Sequence, residues 1–187
     1  MAHPLVRILE RNPVIPALKS IQQVEQCAST GCEAAFLLCG DILNIADVID
    51  MLHKAGKKAV VHADLVNGLA PREIAADYLH RCGADGIIST RPLLVRRGHE
   101  LGMLAVLRVF AIDSKAVNNL KSEVEVGSPD MIEVLPGVMP RVLSQVRKDV
   151  KKPLIAGGLI ADKADILSAL NAGAVCVSTS DSSLWEI

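Results

Sequence analysis

Eight short runs rich in apolar residues recur along the chain, and segments with the periodicity of amphipathic helices lie between them. The runs begin at Pro13, Glu33, Lys58, Asp85, Met103, Asp130, Pro153 and Ala174. Strands that alternate with helices predict a parallel sheet, and eight such units predict an α/β fold, a compact TIM-like (β/α)8 barrel. We therefore expect residues 1–187 to form a single barrel domain. A doubly wound open sheet is the alternative, but it would lack the polar residues that end these strands.

The composition argues against several classes of protein. The 187 residues carry 20 basic and 21 acidic side chains, a net charge of -1 at pH 7, and only two Phe, one Tyr and one Trp. The chain is therefore neither strongly cationic nor rich enough in aromatic residues for a base-stacking RNA platform. No apolar run approaches the roughly 18 residues of a membrane span, and charges interrupt the N-terminal segment where a secretory signal would be apolar. We expect a cytoplasmic protein with no membrane partner.

The cysteines predict no metal site. Cys27, Cys32, Cys39, Cys82 and Cys176 form an odd set without C-x-x-C spacing, and Cys39 and Cys176 lie in apolar runs. Reduced, buried thiols are favoured over metal ligands and over disulfides. No cofactor is expected either.

The stretch from Pro153 to Ser180 has the order strand, Gly157-Gly158 turn, helix, strand and hydroxyl-rich end. In parallel barrels, the loops after the last two strands and a short extra helix often bind a phosphate group. Residues 181–187 are a candidate for that helix. Glycine at 157 and 158 would let the backbone approach a phosphate oxygen closely. An ordinary turn is the alternative for the Gly-Gly pair taken alone.

Polar residues follow or end most of the predicted strands, which is where barrels carry their chemistry. One group suits a phosphate: Lys19, Arg108, Gly157, Gly158, Ser178 and Thr179. A second group, Asp41, Asp64 and Glu133, suits hydroxyl groups or a pairing cation, and strand alternation would point His62 and Asp64 into the barrel together. A small polyol phosphate would use both groups. Internal salt bridges, Arg108 with Glu133 and His62 with Asp64, are the structural alternative.

A barrel enzyme is a second hypothesis from the same residues. Asp64 or Glu133 could act as a general base and His62 as an acid in an isomerase, lyase or transferase of phosphorylated polyols or sugars. The chain has no Ser-His-Asp signature, no H-E-x-x-H motif and no lysine placed for a Schiff base, so no catalytic residue is assigned. Residue types alone do not separate binding from turnover.

Six strings taken together indicate a family. They are FLLCGDILNI, HADLVNGL, DGIISTRP, DMIEVLPGVMP, PLIAGGLI and VSTSDSSLW, and they resemble the glycerol-3-phosphate-responsive antiterminators of bacterial glycerol uptake operons from about Pro13 to the last residues. The resemblance implies a TIM-like fold, a non-enzymatic regulator of transcription, and glycerol 3-phosphate as its effector. Its ligand would lie at the barrel mouth near the residues named above, Lys19, Asp64, Arg108, Glu133, Gly157, Gly158, Ser178 and Thr179.

The same resemblance implies leader mRNA as a partner. Arg91, Arg96 and Arg97, after the fourth strand, are candidate RNA contacts, and so are Lys54, Lys57 and Lys58. For each cluster a solvated helix face is the alternative. A homodimer is expected because regulators are often symmetric and one chain offers little cationic surface.

Overall fold

The fold is a closed barrel of eight parallel strands in sequential order, seen in a computed structural model that describes residues 3–186. The strands are β1 Val14–Leu18, β2 Ala34–Leu37, β3 Lys58–His62, β4 Gly86–Ser89, β5 Leu104–Phe110, β6 Met131–Leu135, β7 Leu154–Gly157 and β8 Cys176–Thr179. The helices are α1 Pro4–Arg11, α2 Ile21–Ala28, α3 Ile45–Lys54, α4 Ile74–Arg81, α5 Pro92–Glu100, α6 Ser114–Gly127, α7 Pro140–Asp149 and α8 Lys163–Asn171. The predicted (β/α)8 barrel is confirmed, and β1 pairs with β8 to close it.

Helix α1 closes the end of the barrel at which the strands begin. The ring of His3 accepts a hydrogen bond from the Leu5 N–H at the start of the helix. Leu5, Val6 and Leu9 are buried in one cluster with residues from the strands, including Phe36. This plug leaves the opposite end, where the strands finish, as the open mouth.

The barrel interior has an apolar layer followed by a polar one. The apolar layer includes Ile15, Phe36, Val60, Ile88, Val106, Met131, Ile155 and Cys176, one residue from each strand. Side chains two residues apart in a strand share a face, so the next inward positions within the strands are Ala17, His62, Arg108, Glu133, Gly157 and Ser178. The polar residues therefore lie directly above the packed core, at the mouth.

Three boundaries differ from the sequence expectation. Strand β2 ends at Leu37, so Cys39 lies in the loop beyond it, and β3 ends at His62, where a 3-10 turn, Ala63–Leu65, takes over. The expected C-terminal helix at 181–187 is a single 3-10 turn, Ser182–Leu184; residue 187 lies outside the described residues. Between residues 3 and 186, every helix is too short or too polar to cross a membrane.

Candidate functional site at the barrel mouth

A cavity of about 500 Å³ lies at the mouth of the barrel. Six of the residues that the sequence predicted for the ligand line it: Lys19, Arg108, Glu133, Gly158, Ser178 and Thr179. They come from β1, β5, β6, β7 and β8 or from the loops directly after them, because parallel strands bring all their carboxyl ends to one rim. The cavity is large enough for a small phosphorylated metabolite.

A buried ion pair organises the cavity floor. The Nε–H group of Arg108 donates to Oε2 of Glu133 at 2.7 Å, and the hydroxyl of Ser178 donates to Oε1 at 2.6 Å. Glu133 is completely buried and Arg108 is 8% exposed, so each charge needs the other. The predicted Arg108–Glu133 salt bridge is present. Within residues 3–186 the terminal guanidinium nitrogens of Arg108 have no protein acceptor, which leaves them free for an anionic ligand.

Gly157 makes room for this network. A Cβ atom built at Gly157 would lie 2.6 Å from Oε1 of Glu133 and 2.8 Å from Oγ of Ser178. Both distances are far below van der Waals contact, so any side chain would separate the two partners. The sequence suggested that glycine is needed here for access to a phosphate; the structure adds a packing reason, the hydrogen bond between Glu133 and Ser178.

The loop after β7 has an unusual backbone. Gly158 and Leu159 both have positive φ, 76° and 62°, and Leu159 is 74% exposed. A left-handed leucine is strained, and such strain concentrates at functional sites. The end of β8 is fixed against this loop, since the Thr179 hydroxyl donates to the Ile160 carbonyl and the Trp185 indole N–H donates to the Thr179 carbonyl. The two loops that the sequence assigned to a phosphate therefore form one connected wall.

His62 has a buried nitrogen without a partner. The residue is 2% exposed at the end of β3, and among residues 3–186 its Nδ1 atom finds no hydrogen bond. Burial, reinforced by the positive charge of Arg108, lowers the pKa of His62 to about 4, so the ring is neutral at pH 7. An unsatisfied buried nitrogen calls for a water molecule or a ligand group as its partner.

Strand alternation predicted that Asp64 points into the barrel together with His62, and the structure differs, with no His62–Asp64 salt bridge among residues 3–186. Because β3 ends at His62, the alternation that would have aligned the two side chains does not continue. Asp64 instead accepts hydrogen bonds from the Ser89 hydroxyl and from the backbone N–H and hydroxyl of Thr90, at 2.7–2.9 Å. Burial alone would raise the pKa of Asp64, but these bonds hold it below its usual value. Asp64 thus joins the ends of β3 and β4, outside the lining of the cavity.

Asp41 also lies away from the cavity lining. Its carboxylate accepts the backbone N–H groups of Leu43 and Asn44 at 2.8 and 3.0 Å, and the side-chain amide of Asn44 at 3.2 Å. This is a local turn ahead of α3, a use of aspartate that strand-end position alone does not distinguish from ligand binding.

The cations proposed for RNA are engaged within the protein. Arg97 pairs with Asp77 at 2.6 Å and with Glu100 at 3.1 Å, Arg96 pairs with Glu100, and Arg91 lies 3.7 Å from Asp64. In the second cluster, Lys54 pairs with Asp50 and Lys58 with Asp85. Lys57 is buried and donates to the carbonyl oxygens of Thr30 and Cys32. Both clusters therefore offer less free charge than their sequence suggests.

A second basic surface, which we call the α7 patch, consists of Arg141, Arg147, Lys148, Lys151 and Lys152. Within residues 3–186 these five side chains form no ion pair, and all but the half-buried Lys152 are exposed. A groove of about 1050 Å³ runs beside the patch between α7 and α8, and its charged lining residues, Arg141 and Lys148, are both cationic. The sequence contained the signal, the RKDVKK run at 147–152, but it also fits a solvated helix end.

Sequence reasoning missed the apolar part of the mouth. Ala17, Leu38, Leu135, Leu159, Ile160 and Ala161 line the cavity together with the polar set. Ala17 and Leu38 could have been found from the inward register that places Arg108 and Glu133. The β7–α8 loop residues carry no such signal, because their position depends on the turn at Gly158.

The chain matches known sequences along nearly its whole length. A family described as glycerol-3-phosphate responsive antiterminator matches residues 14–185. The uncharacterized protein YgcP of Escherichia coli strain K12 is 36% identical over 185 residues, which cover 98% of this chain and 97% of YgcP.

Solved structures agree with the sequence matches. The glycerol uptake operon antiterminator regulatory protein of Listeria monocytogenes strain 4b F2365 superposes with a TM-score of 0.89 at 34% identity, covering 92% of this chain and 94% of that one. A glycerol uptake operon antiterminator-related protein from Thermotoga maritima superposes with a TM-score of 0.84 at 34% identity, covering 94% of this chain and 99% of that one. Deoxyribose phosphate aldolase from Aeropyrum pernix gives 0.68 at 18% identity, with 92% and 86% covered, and shares the fold alone.

Proposed function

This chain belongs to the glycerol-3-phosphate responsive antiterminator family, and from that premise we propose that it binds glycerol 3-phosphate at the barrel mouth and engages a leader mRNA in response. The mouth cavity carries the proposal, because it combines cationic and hydroxyl-binding groups in one space. Lys19 and the free guanidinium nitrogens of Arg108 suit the phosphate. Glu133 and the hydroxyls of Ser178 and Thr179 suit the glycerol moiety.

The chemistry of the same residues favours binding over turnover. A neutral His62 with a pKa of about 4 is a weak general acid at pH 7. Asp64 accepts three hydrogen bonds that lower its pKa, which makes it a weaker base, and both carboxylate oxygens of Glu133 are already engaged by Arg108 and Ser178. Steady product formation from glycerol 3-phosphate would instead identify the barrel as an enzyme.

Calorimetric titration with glycerol 3-phosphate, with glycerol and with inorganic phosphate tests whether the protein binds the phosphate ester. We expect saturable binding of the ester that exceeds binding of either fragment. Replacing Lys19 removes one charge-assisted hydrogen bond, which is about 1.5–3 kcal/mol or roughly ten- to hundredfold in affinity. Lys19 is exposed, so Lys19→Ala should stay folded. Lys115→Ala, at another exposed lysine on α6, is the matched control and should bind as the parent does. No binding of the ester by the parent would reject the proposed site.

The RNA surface in this proposal is the α7 patch, because its five cations form no ion pair within residues 3–186 and two of them, Arg141 and Lys148, line a groove. Contacts between cations and RNA phosphates make the affinity fall as the salt concentration rises. Each such contact contributes about one unit to the slope of log affinity against log salt concentration, so each cation removed lowers that slope by about one. Arg141→Glu with Lys148→Glu should weaken leader binding about tenfold or more and reduce the salt slope. The reversed pair Arg7→Glu with Arg81→Glu, exposed cations on α1 and α4, is the control for net charge.

The earlier RNA candidates are tested in the same assay. Arg91, Arg96 and Arg97 remain predictions. If Arg96→Glu with Arg97→Glu abolishes leader binding while the α7 variants bind normally, the helix after β4 is the RNA surface and the α7 patch is not.

A further inference from the structure

Two cysteine side chains touch at the end of α2. Cys27 lies in the last turn of the helix and Cys32 in the loop that follows, and their Sγ atoms are 3.3 Å apart. The loop turns back because the Thr30 N–H and hydroxyl both approach the Cys27 carbonyl oxygen, at 3.0 and 2.8 Å. A disulfide brings its sulfur atoms to about 2 Å, so closing the bond requires a shift of only about 1 Å.

The surroundings of the pair favour one thiolate. The Thr30 hydroxyl lies 3.1 Å from Cys32 Sγ, and Nζ of the buried Lys57 donates to the carbonyl oxygens of Thr30 and Cys32 at 2.7 and 2.9 Å. The Cys27 thiol, the Thr30 hydroxyl and the Lys57 charge together lower the pKa of Cys32. The contact with Cys32 and burial raise the pKa of Cys27. The Cys32 thiol therefore loses its proton more readily than the Cys27 thiol.

Only one cysteine of the pair is accessible from solvent. Cys27 is fully buried, whereas Cys32 is partly exposed and lines a cavity of about 220 Å³ with Asn12, Gly31 and Trp185. A small oxidant can reach Cys32 through this cavity but cannot reach Cys27 directly.

We propose that Cys27 and Cys32 form a reversible dithiol–disulfide modification site that reacts with hydrogen peroxide. The Cys32 thiolate attacks one peroxide oxygen, the O–O bond breaks, and Cys32 becomes a sulfenic acid as hydroxide leaves. The Cys27 sulfur then attacks Cys32, the S–O bond breaks, and the hydroxyl leaves as water with the Cys27 proton. Two thiols are oxidised to one disulfide and one peroxide is reduced to two water molecules. The pair lies at the opposite end of the barrel strands from the mouth, so this inference does not depend on the proposed effector.

Mass spectrometry of the reduced full-length chain, treated with hydrogen peroxide and then digested, tests the site. We expect a Cys27–Cys32 cross-linked peptide that dithiothreitol reverses, and a loss of two of the five titratable thiols. The fluorescence of Trp185, the one tryptophan of the sequence, should change with the same time course because it lines the cavity beside Cys32.

Three variants separate the roles of the sulfurs. Cys27→Ser should stop at a Cys32 sulfenic acid that dimedone traps, and Cys32→Ser should form no internal disulfide. Cys39→Ser is the matched control and should oxidise as the parent does, because burial raises the pKa of Cys39. Retention of all five thiols in the parent, or cross-links that involve other cysteines, would overturn the proposal. This measurement on the parent protein decides the question even if a variant fails to fold.

Discussion

At the scale of single residues, the most consequential glycine is Gly157, because the hydrogen bond between Glu133 and Ser178 fills the place of its side chain. Gly157→Ala should separate these partners, lower the free energy of unfolding by about 1–3 kcal/mol, and weaken effector binding. Gly31→Ala is the control, since a Cβ atom there meets nothing within 4 Å. Chemical denaturation of both variants measures the difference. If the two variants were equally stable, the hydrogen bond between Glu133 and Ser178 would not depend on the absence of a side chain at residue 157.

The buried His62 makes the stability of the fold depend on pH. Its folded-state pKa of about 4 is below the unfolded value near 6.5, so the unfolded state binds the proton more readily. Stability is therefore lost as pH falls from about 6.5 towards 4, by about 3 kcal/mol in total from this residue.

The test compares unfolding free energies of the parent and His62→Gln across that range of pH. The variant should lose less stability on acidification, whereas His80→Gln, an exposed histidine on α4, should follow the parent. Parallel curves for the parent and His62→Gln would contradict a neutral buried ring.

Among the secondary-structure elements, α1 closes the barrel at the end where the strands begin and leaves only the mouth open. Leu9 is 1% exposed within the interior cluster, so Leu9→Ala should cost about 2–5 kcal/mol of stability. The exposed Glu10→Ala on the same helix should cost less than about 0.5 kcal/mol. Denaturant titration distinguishes them, and a stable Leu9→Ala would show that α1 does not close the barrel.

The elements also show what sequence could and could not predict. Eight apolar runs separated by helical periodicity were sufficient for the barrel, and the inward register from Val106 to Arg108 and from Met131 to Glu133 was readable in advance. The end of β3 was not readable, since hydrogen bonds from Ser89 and Thr90, distant in sequence, hold Asp64 in its turn. Asp41 shows a second limit, because the same side chain serves a ligand site or an Asx turn.

At the scale of the whole molecule, the proposed effector site at the mouth and the proposed RNA surface at the α7 patch are distinct, and thermodynamic linkage requires any coupling between them to be reciprocal. If glycerol 3-phosphate raises RNA affinity by some factor, leader RNA must raise effector affinity by the same factor. Titration of effector into the protein with and without saturating RNA checks this equality. Unequal factors would mean that the two ligands do not share one equilibrium.

The predicted homodimer is also a property of the whole molecule. A dimer would double the cations of the α7 patch available to one RNA, which a chain of net charge -1 needs for tight binding. Light scattering of the protein with and without glycerol 3-phosphate measures the mass. A monomer under both conditions would contradict the prediction.

Whether glycerol 3-phosphate controls RNA binding is measured by the affinity of a fluorescent glycerol-operon leader RNA for this protein, from anisotropy with and without glycerol 3-phosphate. We expect the effector to tighten RNA binding about fivefold or more, and we expect Lys19→Ala to lose this response while Lys115→Ala keeps it. Equal RNA affinity with and without the effector, in a protein that calorimetry shows to be saturated, would contradict it.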